Sequence, residues 1–305
     1  MTAYPAYPAD PAYSASPAVT RLPRLVLAWG TVRDAAFPDR VAAARQAGYD
    51  GIGLAIPYYR SLRADGWTDR DLAAVLAEWD VRINEVEVLF GFHGEPGPAG
   101  IPSRPGLVYA DPELERTAFH LADTFGVPFV QTVGTFDTRP VGPEVAESFG
   151  SLCDRAAAHG LRVALEFVPY SSIPDLATGL AVVAEADRDN GGLCIDSWHF
   201  FRGAPDLESL RAVPADRVFM VQFNDGPVPP ADPDRMVDAV HHRVLPGEGD
   251  LDLRAFVTAL HTGGVRAPFS VEVYSDELRR RPAPEVARRA AETTRAVLAS
   301  VARTG

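Results

Sequence analysis

Four apolar, strand-like runs in this 305-residue chain close on an acid or an amide: VALEF on Glu166, GLCID on Asp196, FMVQF on Gln222 and FSVEV on Glu272. A strand buried on both faces has little reason to end in charge, because an unpaired buried carboxylate is costly. Taken singly, each reads more readily as a helix cap or an ion-pair partner. Taken together, at matched places on consecutive strands, they read as a site. Three carboxylates brought to one place repel one another unless a cation sits among them. Three carboxylates and one amide carbonyl form an all-oxygen set, which suits Mn²⁺ or Mg²⁺ better than zinc.

The elements that must position these residues follow from the pattern. β-rich runs at 25–29, 51–56, 82–90, 129–133, 162–168, 192–196, 218–223 and 269–274 alternate with helical patterns. The helices are expected near 39–47, 69–78, 112–125, 143–157, 176–186, 206–212, 253–261 and 284–302. That alternation predicts an α/β fold, a (β/α)₈ TIM barrel formed as a single domain over 23–305. The rival is a doubly wound open sheet with a glycine-rich phosphate turn. The turn after the first strand, GTVRDAAF, lacks the GxGxxG spacing. In a barrel, catalytic groups gather at the C-terminal ends of the strands, where these four residues fall. Gly48, Gly126, Gly160 and Gly263 follow predicted helices and are expected as left-handed caps. Residues 1–22, rich in Pro, Ala and Tyr, are expected to form a flexible tail.

Composition removes several function classes. Net charge is −12, which argues against a phosphate-backbone partner and so against nucleic acid. No apolar run approaches membrane-helix length, and no basic-then-apolar leader opens the chain, so no membrane association and a cytoplasmic location are expected. Cys153 and Cys194 read as reduced core thiols. All 29 basic residues counted as Lys or Arg are arginine. Schiff-base aldolases, pyridoxal-phosphate enzymes and P-loop enzymes each need a lysine and are excluded.

The stretches LEFVPYSS, IDSWHFFRG, VQFNDGP, RVLPGEGDLDL and VEVYS, in this order, resemble the xylose-isomerase-like TIM-barrel superfamily of sugar phosphate isomerases/epimerases. Ketose 3-epimerases, hydroxypyruvate isomerase, inosose isomerases and dehydratases, and 3-dehydroshikimate dehydratase belong to that group. The resemblance spans about 24–300 and is densest from 160 to 275. It implies that Glu166, Asp196 and Glu272 are metal-binding acids. It also implies that His199 is a histidine behind the ligands that contacts substrate, and that Arg243 binds substrate oxygens. Gln222 stands where many members have histidine, as in the hydroxypyruvate isomerase and dehydroshikimate dehydratase types. The endonuclease IV branch needs more histidines than the seven present, of which only His93, His199, His241 and His242 lie near expected C-terminal loops.

The chemistry so implied is proton abstraction beside a carbonyl, with Glu166 and Glu272 as base and acid on a metal-stabilised enediolate. A small sugar or cyclic hydroxy-ketone is the expected substrate. The leading reading is an isomerase or epimerase. The alternative is a lyase using the same site, either a dehydroshikimate- or inosose-type dehydratase or a C-glycoside-cleaving enzyme. A catalytically silent sugar-binding barrel is the third. The resemblance also allows a homo-oligomer, which the residues themselves do not specify.

Further candidates carry weaker patterns. Glu85 and Glu87 share one face of the third strand, and Glu87 reads as a substrate contact or a structural ion-pair partner. His93, in FGFHGEPG, reads as a substrate ligand or a solvated loop residue, and Gln131 on the fourth strand reads similarly. Trp198, with Trp29, Tyr58, Phe90, Phe92, Tyr170 and Phe200, could form an apolar collar around substrate or simply pack barrel against helix. Asn224 and Asp225 are expected to brace the mouth.

Overall fold

The computed structural model describes residues 22–94, 111–137 and 141–302. Eight parallel strands close into one barrel in chain order, with β1 completing the ring against β8. They are β1 (Leu25–Leu27), β2 (Gly51–Ala55), β3 (Ile83–Phe90), β4 (Phe129–Val133), β5 (Arg162–Glu166), β6 (Gly191–Asp196), β7 (Val218–Phe223) and β8 (Phe269–Val271). All eight fall where the alternation expects them. Apart from Leu22, which packs partly buried against the core, the expected tail lies outside the described residues.

The surrounding helices are α1 (Phe37–Gln46), α2 (Ile56–Ala64), α3 (Asp69–Trp79), α4 (Pro112–Phe125), α5 (Pro143–Ala157) and α6 (Leu176–Ala186). They continue as α7 (Ser197–Arg202), α8 (Leu207–Ala212), α9 (Arg235–His241), α10 (Leu253–Thr262) and α11 (Ala283–Ala302). Their starts are written locally: Thr68 and Asp71 form a capping box on α3, and Asp111 with Pro112 opens α4. Three helices, α2, α7 and α9, were not expected. Each is short, and two begin directly on a strand end, where the apolar run masks the change of period.

Two expectations need correction. The left-handed residue after α10 is Gly264, with φ 84°, while Gly263 continues the helical turn; Gly48, Gly126 and Gly160 do have positive φ. The first, fifth and last strands also end before the expected 29, 168 and 274, at Leu27, Glu166 and Val271. Glu272 still donates its backbone N–H to the Phe223 carbonyl at 3.2 Å, which aims its side chain from the rim.

Alternation inside the barrel separates an apolar floor from a polar top. Phe129, Ala164, Cys194, Phe219 and Met220 cluster within it, and the Arg162 guanidinium lies over the Phe129 and Phe219 rings. Two residues further along the same strands come Gln131, Glu166, Asp196 and Gln222, all buried. Cys153 and Cys194 are buried, free thiols. No helix among the described residues is long and apolar enough to cross a membrane.

Candidate metal centre and active site

Asp196 ends β6 and caps α7, its Oδ1 accepting the His199 backbone N–H at 3.0 Å. That cap turns the imidazole back over the barrel. His199 Nε2 then lies 3.3 Å from Glu166 Oε1 at the end of β5. Ligand-capable atoms of Glu166, Asp196 and His199 lie within 4.8 Å of one another, and all three residues are buried. The His199 Nδ1 atom is buried without a hydrogen-bond partner. This is a set that a divalent ion fits.

Glu272 stands across the mouth and is not within that close set. Arg243 joins the two sides: its Nη1 donates to Asp196 Oδ2 at 2.9 Å and to Glu272 Oε2 at 3.0 Å. An amide chain joins them as well. Gln131 Nε2 donates to Glu166 Oε2 at 2.6 Å and to Gln222 Oε1 at 3.3 Å, and Gln222 Nε2 donates to Glu272 Oε1 at 2.9 Å. The Gln222 oxygen therefore faces Gln131 and the Cys194 thiol, and the amide serves the acids as a donor. Asn224 Nδ2 donates to Asp196 Oδ2 at 3.0 Å. All four acids and amides singled out in the sequence meet at one place, and His199 enters the innermost group with a nitrogen.

Electrostatics divides the acids. Burial pushes the Glu166 carboxyl well up, and the charges of Asp196 and Glu272 push it further. Burial raises Glu272 in the same way, with Arg243 opposing. Burial also acts on Asp196, yet the Arg243 charge, together with the hydrogen bonds from Arg243 and from the His199 backbone N–H, outweighs it and holds that carboxyl below its usual range. Burial drives the His199 imidazole down to about 3, so the ring is neutral. The pattern is one ionised acid beside two carboxyls that bind protons strongly.

The other candidates occupy distinct places. Glu87 Oε1 accepts the Trp29 backbone N–H at 3.0 Å, and Glu85 accepts the Ser270 hydroxyl. Both carboxyls crowd the space over Gly53, where an added Cβ would lie 2.2 Å from Glu87 Oε1 and 2.7 Å from Glu85 Oε1. Burial raises each carboxyl to about 8, and the charge of Glu85 raises Glu87 further. His93 Nε2 lies 3.0 Å from Ser172 Oγ and accepts the Thr135 N–H, tying together the loops that follow β3, β4 and β5. Trp198 is fully buried. Its ring lies between the Arg202 and Arg243 guanidiniums, so it reaches the mouth through Arg243. His241 pairs with Asp276, away from the acids.

Tyr274 and Ser270 were not singled out in the sequence. Ser270 lies on β8 two residues before Glu272; the period of two expected of the apolar run was the available signal. Tyr274 follows by two more, and the Arg243 guanidinium sits over its ring at 5.5 Å.

Comparison with known proteins agrees with this fold. The model of the xylose isomerase-like TIM barrel family matches residues 41–297. The chain belongs to that family. Among relatives, 3-dehydroshikimate dehydratase of Pseudomonas aeruginosa is 25% identical over 248 residues, covering 80% of this chain and 37% of the relative. Inosose isomerase of Bacillus velezensis is 32% identical over 182 residues, covering 57% of this chain and 64% of the relative. The chain thus spans less than two thirds of either relative's length. A solved structure described as IOLI protein with a binding zinc atom superposes with a TM-score of 0.77 over 91% of this chain and 99% of its own. At 24% identity that likeness is one of fold. Within the xylose isomerase-like family, the C-terminal mouth of the barrel is therefore the place to seek this chain's chemistry.

Proposed function

We propose that this xylose isomerase-like barrel is a divalent-metal-dependent isomerase or epimerase acting on a keto-sugar or related hydroxy-ketone through an enediolate. The observation that carries the reading is the convergence of Glu166, Asp196 and His199, with Glu272 facing them across Arg243. Glu166, Asp196 and Glu272 would hold the ion, with Gln222 or His199 completing the set. The carboxylate-rich donors suit Mn²⁺ or Mg²⁺, and the His199 nitrogen also brings zinc into the same test. When bound, such an ion supplies a Lewis acid for the substrate's carbonyl and neighbouring hydroxyl oxygens.

The protein's own groups do the proton work. Glu166 and Glu272 sit on opposite sides of the mouth and are both held basic by burial, so each can accept or return a proton. Epimerisation uses both, one on each face of the substrate carbon. Gln131 and Gln222 keep the two carboxyls aimed. Neutral His199 offers one nitrogen to a substrate oxygen. Arg243, and beyond it Glu87, His93 and Trp198, shape the substrate's surroundings.

A lyase reading stands beside this one because a dehydratase relative matches 80% of this chain. Loss of a β-hydroxyl would use the same base and differ only in the fate of the enediolate. The test is proton NMR in D₂O of the Mn²⁺-loaded protein with ketoses, hydroxypyruvate, 2-keto-inositol and 3-dehydroshikimate. Deuterium beside the carbonyl with an isomeric product supports the isomerase, and a new vinylic signal supports the lyase. Absence of exchange with every compound counts against both.

A further inference from the structure

We propose that Arg243 is a resident counter-cation, which balances Asp196 and Glu272 when no metal is bound and competes with the ion for them. The inference rests on the metal-site reading above and concerns how this chain controls its own affinity for the ion.

The guanidinium is fixed from every direction. Its Nε donates to the Ala239 carbonyl at 2.7 Å, and its backbone N–H donates to the Tyr274 carbonyl at 3.0 Å. Its guanidinium carbon lies 5.6 Å from the Trp198 ring and 5.5 Å from the Tyr274 ring. Each ring has a second arginine near it: Arg202 at 5.2 Å from Trp198 and Arg33 at 5.7 Å from Tyr274. Those outer arginines are held by Asp238 and Asp276. Cations and rings thus alternate through Arg202, Trp198, Arg243, Tyr274 and Arg33, with Arg243 at the centre.

Five of the six carboxylate oxygens that an ion could use already receive donors, Glu166 Oε1 being the exception. Asp196 Oδ2 receives Arg243 and Asn224, and Asp196 Oδ1 receives the His199 N–H. Glu272 Oε2 receives Arg243, and Oε1 receives Gln222. Glu166 Oε2 receives Gln131. A cluster that relied on the ion alone would carry uncompensated carboxylates whenever the ion left. Here one charge-assisted fork bridges the two sides and keeps them open. The same positive charge, buried beside the ion's position, must repel the ion. The site is thereby ordered without metal and binds it less tightly than its carboxylates alone would.

Two variants test this: Arg243→Met, which removes the charge but keeps an apolar stem, and Arg243→Lys, which keeps the charge. Mn²⁺ affinity is read by calorimetry, and thermal unfolding is followed in EDTA and in Mn²⁺. Arg243→Met is expected to bind Mn²⁺ roughly tenfold tighter or more, the scale set by removing one nearby like charge. Its melting temperature should fall markedly in EDTA and recover in Mn²⁺, whereas Arg243→Lys should bind the ion much as the wild type does. If Arg243→Met folds only with Mn²⁺ present, the ion is replacing the guanidinium, and the proposal stands. If the wild type binds Mn²⁺ and Arg243→Met binds it no more tightly, the proposal is overturned while the metal site survives. If the wild type binds no Mn²⁺, both fall.

Discussion

Asp196 and His199 are joined twice: Asp196 Oδ1 caps the backbone N–H of His199, and the two side chains belong to one ligand-capable cluster with Glu166. A single aspartate therefore starts α7 and sets the position of the imidazole. Replacements should separate these roles. Asp196→Asn keeps a side-chain oxygen for the cap, whereas Asp196→Ala loses about 1 kcal/mol from the cap alone. Asp196→Ala also strips Arg243 of one partner, for a total loss of up to about 3–5 kcal/mol. Both should abolish Mn²⁺ binding. Urea unfolding and Mn²⁺ titration measure the two effects, and wild-type affinity in either variant would remove Asp196 from the ligand set.

Glu272 is held by Gln222 on one oxygen and Arg243 on the other, so its carboxyl is aimed before any substrate arrives. Glu272→Gln should lower turnover by about 10²–10⁴-fold, the scale of a lost general base or acid. The fold should stay intact by circular dichroism. Deuterium incorporation from D₂O should fall with turnover. Unchanged exchange would assign the proton transfer to another group.

The buried Glu85–Glu87 pair gives stability a pH dependence. Burial raises Glu85 from 4.5 to about 8. The folded state therefore keeps a proton that the unfolded chain has released between those values. Stability is full below the lower value and declines as pH rises through the window, by at most about 1.4 kcal/mol per unit for one group. Glu85→Gln removes one term, so its unfolding free energy should fall less steeply than that of the wild type from pH 5 to pH 8, an interval of about three units. Parallel curves for the two proteins would show that Glu85 does not keep a proton in that range.

Trp198 fills the space between Arg202 and Arg243 and is fully buried. Trp198→Leu should cost about 3–5 kcal/mol through the cavity left behind. It should also loosen Arg243, raising KM several-fold with a smaller change in kcat. If KM did not move, Trp198 would be a packing residue only.

Much of this was legible along the chain. Eight β-rich runs between helical patterns identify a barrel, because a parallel strand pair needs a helix-length crossover to return. Glu166, Asp196, Gln222 and Glu272 declare themselves because charge at the end of a buried run is costly without a purpose. The short helices escaped notice where their first residues are apolar, as Ile56 is, or where the N-cap is itself the candidate ligand, as Asp196 is.

Which residues reach the C-terminal rim is written in the chain, since strand alternation is a local property of the backbone. How they meet depends on the folded barrel. Arg243 lies in a loop, and its place depends on that loop being folded back by Asp225, whose carboxylate accepts backbone N–H groups of Gly226, Gly247, Gly249 and Leu251. The approach of Arg243 to the Trp198 and Tyr274 rings, and its bridge from Asp196 to Glu272, join residues far apart in sequence. Ring closure of the barrel brings them together, and local spacing carries no record of such long-range contacts.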